Sequence, residues 1–106
     1  MPPSVHVKFE GLALDPSVEA SVHHWIARLE TAGGPVHSAF VLIEQAGRRY
    51  TAVYLELKLA DLFTLTVATS HGNDYAAVAN AFGALRQRLL AHTAAAGRTG
   101  LARALA

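Results

Sequence analysis

Two kinds of side chain in this sequence could do chemistry: six histidines and nine lysines and arginines. His23 and His24 are adjacent in a helical pattern, so they point about 100° apart and are poorly placed to chelate one ion. His6 and His37 fall on strand patterns. With no cysteine in the chain, no thiolate or paired carboxylate completes a recognisable metal site around them. His71-Gly-Asn-Asp74 holds an acid and a base close together, but it reads as a turn and cap at a helix start. No nucleophile elbow, phosphate loop or carboxylate pair is present. The sequence therefore implies no enzyme, no cofactor and no metal.

What remains is electrostatic chemistry. Arg28 lies one turn after His24 on one flank of the first helical pattern, while Glu19, His23 and Glu30 make a flank that would repel phosphate. Arg86 and Arg88 lie on opposite flanks of the last one. The candidate phosphate-contact set is then His24, Arg28, Arg86 and Arg88, joined by Lys8, Arg48, Arg49 or Lys58. So few cations imply modest affinity with a strong salt dependence. A plain alternative stands beside this: arginines that lay their stems along a core edge with their heads in water.

The elements that would hold these groups follow from periodicity. Ser4–Glu10 alternates, with Val5, Val7 and Phe9 on one side. Asp15-Pro16 opens a helix with an apolar stripe of Val18, Val22, Trp25 and Leu29 and with Ile26 at its edge; Gly33-Gly34-Pro35 ends it. Residues 36–45 form a strand whose buried face periodicity leaves open: Ala39, Val41 and Ile43, or Ser38, Phe40, Leu42 and Glu44. Ala46–Arg49 turns into a strand over 50–59, with Val53, Leu55, Leu57 and Leu59 on one face. Ala60-Asp61 leads to a strand over 62–70, with Phe63, Leu65 and Val67 inward. Asn73 or Asp74 then caps a long helix to His92, with Tyr75, Val78, Phe82, Leu85 and Leu89 on one face.

The expected fold is α+β: a β-α-β-β-β-α two-layer sandwich, a four-stranded mixed sheet with both helices on one face. Residues 1–92 form the single domain, and the Ala/Gly-rich stretch 93–106 is a flexible tail. If Ala39, Val41 and Ile43 face the helices, then Phe40, Leu42 and Tyr54 lie together on the open face. They are the candidate interface, for a homodimer or partner, or for stacked RNA bases. Gly83 on the outward face of the last helix costs about 1 kcal/mol relative to alanine.

Composition sets limits. Apolar residues make up 52% of the chain and charged ones 16%, against about 25% in an average soluble domain. That excludes disorder for most of the length and favours self-association. Met-Pro-Pro-Ser has no secretory pattern and no apolar run reaches membrane-spanning length, so a cytoplasmic protein with no membrane partner is expected. The net charge of +1 is small for a protein that lives on phosphate contacts.

With these residues placed, the chain resembles the short form of the ribosome hibernation promoting factors. That family is also called ribosome-associated translation inhibitors, or sigma-54 modulation proteins. The likeness runs from about Val5 to His92. It is carried by Asp74-Tyr-Ala-Ala-Val-Ala-Asn-Ala-Phe-Gly-Ala-Leu-Arg86, similar to the family's last-helix pattern. Asp15-Pro-Ser-Val-Glu19, Arg28-Leu-Glu30 and Val41-Leu-Ile-Glu44 support it.

The resemblance implies binding to rRNA of the small ribosomal subunit in the mRNA/tRNA channel, and a block on translation under stress, by occupancy and without a small-molecule substrate. Position by position, it places the family's basic contacts at Arg28 and Arg86. Arg88 is one place out of register, and Gln87 stands where a second basic residue is usual. Thr31 and Phe40 also replace frequent basic residues, the Ala46–Arg49 turn is shorter than the family's His/Arg-rich loop, and the glycine pair before the fourth strand is missing. The alternative reading is a diverged interaction or homodimerisation module that no longer binds RNA and uses the open sheet face.

Overall fold

A computed structural model describes the backbone of residues 3–33, 36–60 and 63–105 and the side chains of 3–31, 36–60 and 63–94. The elements are β1 (Ser4–Glu10), α1 (Pro16–Gly33), β2 (Val36–Gln45), β3 (Thr51–Leu59), β4 (Thr64–His71) and α2 (Asp74–Leu105). The four strands form one sheet in the order β1-β2-β3-β4. β1 runs parallel to β2, and the two hairpin pairs are antiparallel. This is the expected β-α-β-β-β-α architecture.

Each helix starts where a short polar side chain can satisfy open amides. Asp15 Oδ1 accepts from the amides of Ser17 at 2.9 Å and Val18 at 3.4 Å. At α2 the cap is Asn73, whose Oδ1 accepts from the Ala76 amide at 3.0 Å. Asp74 instead uses its Oδ1 to accept from the Thr51 hydroxyl, tying the start of α2 to the start of β3. Thr51 is the buried polar residue of the core, and this bond is what makes its burial tolerable.

Alternation decides which sheet face is covered. Ala39, Val41, Ile43, Val53, Leu55, Leu57, Leu59, Leu65 and Val67 are buried with Val18, Val22, Ile26 and Leu29 of α1 and with Ala77, Val78, Ala81, Phe82, Leu85 and Leu89 of α2. One cluster thus joins both helices to one face of the sheet. Val5, Val7 and Phe9 of the edge strand β1 are half-buried against it.

Several side chains sit elsewhere than their period implies. Val36 has the parity of the open face yet is buried. The register shifts between Val36 and Ser38, so Val36 stands opposite the inward Leu59. In α1 the stripe is centred one residue over: Ile26 is buried and Trp25 is the half-buried edge. In α2 the buried face runs through Ala77 and Ala81, small residues that let the helix lie close to the sheet. Tyr75 therefore falls at the rim, 47% exposed. Phe63 precedes β4 and is equally exposed, stacked on His92 with ring centroids 4.1 Å apart.

α2 continues past His92 to Leu105. The two glycines at 97 and 100 cost about 1 kcal/mol each in a helix, and the alanines around them are the best helix formers. Gly34, Pro35, Asp61 and Leu62, assigned above to a helix end, a connector and a strand start, lie outside the described residues.

Candidate nucleic-acid interface

The helices meet through their aromatic residues. The Trp25 indole of α1 stacks on the Phe82 ring of α2, with centroids 6.2 Å apart and planes 10° apart. Arg28, three residues on and hence on the same side of α1, sets its guanidinium carbon over the indole at 5.0 Å from the ring centre. His24 approaches the same indole edge-on at 6.3 Å. Arg86, one turn after Phe82, reaches the same place from α2.

Together Trp25, Arg28, Leu29, Thr31, Phe82 and Arg86 line a cleft of about 280 Å³ between the helices. Its inner wall is apolar and its rim carries two guanidiniums. Among the described residues neither arginine has a carboxylate partner; the ion pair found among them is Lys8 with Glu10 on β1, at 2.9 Å. Thr31 donates its hydroxyl to the Ala27 carbonyl at 3.1 Å, which leaves the oxygen's lone pairs as the cleft's acceptor. The arrangement suits an anion attached to something flat and apolar.

The other predicted contacts do not gather here. Arg88 lies two residues from Arg86, about 160° around the helix, and donates to the Thr66 carbonyl on β4. Arg48 and Arg49 are exposed in the β2–β3 turn, where Gly47 takes φ +95° and the Ala46 amide bonds the Tyr50 carbonyl at 2.9 Å. Lys8 stands on the open sheet face, where Glu10 partly neutralises it. The structure thus brings Arg28, Arg86 and His24 to one site and spreads Arg88, Lys8, Arg48 and Arg49 over three others.

That open face is ordered by register. His6, Phe40, Glu56 and Thr66 form one row, and Lys8, Leu42, Tyr54 and Ala68 the next. Phe40, Leu42 and Tyr54 are half-buried side by side. Phe40 stacks on His6 with centroids 5.7 Å apart. The Tyr54 hydroxyl donates to Glu56 Oε2 at 3.2 Å. Partial desolvation, then the bond to Glu56 and its charge, raise the Tyr54 pKa above the ordinary phenol value.

Trp25 as the wall of the cleft escaped the sequence reading, which assigned it to the core. Its signal was there: an aromatic three residues before an arginine, on the flank of the stripe nearest that arginine. Among the described residues no cluster of three or more His, Cys, Asp or Glu could hold a metal ion, and no helix is long and apolar enough to cross a membrane.

No protein-family model and no curated protein matches the sequence. Solved structures do match the fold. The chain shares its fold with the Thermus thermophilus Protein Y N-terminal domain. That alignment has a TM-score of 0.71 at 19% identity and covers 84% of this chain and 96% of the Thermus chain. A ribosomal subunit interface protein from Coxiella burnetii aligns with a TM-score of 0.69 at 15% identity, over 84% of this chain and 98% of its own. Both alignments span nearly the whole of these two structures, so the shared fold is the entire two-layer sandwich.

Proposed function

We propose that this protein binds the small ribosomal subunit through rRNA and inhibits translation by occupying the mRNA/tRNA channel. The observation that carries the reading is the cleft: two exposed guanidiniums, one from each helix, converge with no described carboxylate to neutralise them. Arginine forks match phosphate geometry and are weakly hydrated, so a pair of them is a phosphate grip. The Coxiella structure of the same fold is of a ribosomal subunit interface protein, which agrees with that ligand. His24 borders the grip, while Arg88, Arg48, Arg49 and Lys8 lie on other surfaces and add only to the overall charge.

Co-sedimentation with isolated small subunits tests the reading. Binding is expected at low salt. If Arg28 and Arg86 supply the only two phosphate contacts, affinity falls about tenfold between ~50 and ~200 mM salt, and more steeply if the peripheral cations join. Absence of binding at the lower salt would sink the proposal.

A second reading rests on the patch of Phe40, Leu42 and Tyr54, which spans two neighbouring rows of the uncovered sheet face. There the protein is a homodimerising module, and RNA plays no part. Leu42→Asp places a charge at the centre of that patch. Light scattering decides: on this reading the wild type is a dimer and the variant a monomer, and monomers in both cases remove it.

A further inference from the structure

Phe82, Trp25 and Arg28 form a series of planar groups running outward from the core. Phe82 is 1% exposed, Trp25 is half-buried and Arg28 is exposed. The first two are stacked, and the third lies over the second. We infer that the cleft between the helices holds an unstacked nucleobase of single-stranded RNA, laid on the face of the Arg28 guanidinium, while the N–H edge of Arg28 and that of Arg86 hold the adjoining phosphate. The inference rests on the RNA-binding reading and adds which part of the RNA the site takes.

Three features separate a base from a bare phosphate. A phosphate needs cations in water, yet half the lining of this cleft is Trp25, Leu29 and Phe82. A base stacked on Arg28, beside the half-buried Trp25, gains as those flat, weakly hydrated surfaces leave solvent. Next, Arg28 does not stretch freely into solvent: it is drawn over the indole, so its flat, weakly hydrated surface is ordered before a ligand arrives. Guanidinium planes are established platforms for splayed RNA bases. Finally, Thr31 brings an oxygen with open lone pairs to the lining, and a base edge carries N–H donors that a phosphodiester lacks.

A duplex cannot use the site in this way. Its bases are stacked inside the helix, and a cleft of about 280 Å³ admits one planar group and no double strand. The implied ligand is a loop, bulge or single-stranded segment.

The test compares three RNAs at low salt on the full chain: a short single strand, the same strand with its bases removed, and a duplex of matching length. The intact strand is expected to bind about tenfold tighter than the abasic strand, the usual scale of one base-stacking contact. Trp25 is the chain's only tryptophan, so its emission should change with the intact strand and not with the abasic one. Arg28→Lys keeps the charge and removes the plane. It should abolish the preference for the intact strand while leaving the salt dependence unchanged. Equal affinity for intact and abasic strands, or an unaltered preference in Arg28→Lys, overturns the inference and leaves a phosphate grip standing. Failure of all three RNAs to bind overturns the RNA-binding reading with it.

Discussion

Replacing Phe82 with alanine is expected to destabilise the fold by about 3–5 kcal/mol, the cost of deleting a fully buried aromatic side chain. Phe82 is 1% exposed, lies at the centre of the buried face of α2 and carries the stacked Trp25 of α1. Its removal opens a cavity where the two helices meet and takes away the ring that braces the indole. Domains of this size are stable by only about 5–15 kcal/mol, so the loss is a large share of the total. In urea unfolding followed by circular dichroism, the midpoint should fall by about 2 M at a typical slope of ~2 kcal/mol/M. Phe63→Ala is the control. Phe63 is 47% exposed and should cost far less, although the sequence pattern places both rings inward. Comparable losses for the two variants would mean that the core is not organised as described.

The contrast between those two phenylalanines marks what the sequence makes legible. Wherever a period persists through an element, the buried face can be read from it. Val53 to Leu59 alternate cleanly, and Val78, Phe82, Leu85 and Leu89 keep helical spacing. The strand pairings and the two helices on one face follow from those runs. Misplacements occur where a period begins, ends or slips. Phe63 keeps the parity of Leu65 and Val67 but stands one residue before the pairing of β4 starts, at the margin of the covered face. Val36 belongs to the wrong parity and is brought inward by a one-residue bulge that no local pattern announces. Trp25 and Ile26 exchange centre and edge because a neighbouring helix, absent from any reading of α1 alone, decides which flank is sheltered.

The site was legible in part. Arg28 and Arg86 stood out as cations at helix flanks, but their convergence depends on how α1 crosses α2, a tertiary fact. The bond from Thr51 to Asp74 spans the domain in the same way and leaves no local signature. α2 outruns its expected end at His92 because glycine is only a modest penalty in an alanine-rich helix, whereas in a turn it is a strong marker.

On the proposed ribosomal reading, reversing both charges of the cleft, Arg28→Glu with Arg86→Glu, is expected to weaken small-subunit binding by at least ~100-fold at low salt. A hydrogen bond to a charged group contributes about 1.5–3 kcal/mol, so two lost contacts give about 3–6 kcal/mol before the new repulsion is counted. Both side chains lie at the solvent-facing rim and, among the described residues, are bound to no carboxylate. Folding stability should therefore change by no more than ~1 kcal/mol, most of it the lost cation–π contact of Arg28 with Trp25, which ties a larger binding defect to the interface itself. The dependence of affinity on salt should also flatten, by about 0.7–0.9 logarithmic units for each phosphate contact removed. Arg88→Glu provides the comparison. Arg88 spends part of its guanidinium on the Thr66 carbonyl and points away from the cleft, so reversing it should weaken binding far less. Equal losses from Arg88→Glu and from the cleft pair would mean that the RNA responds to the overall charge of α2. Equal binding by the double variant and the wild type would remove the cleft from the interface altogether. The cleft matters to the ribosomal reading because a net charge of +1 cannot attract RNA by field strength alone. Whatever affinity the protein has must come from cations placed close together.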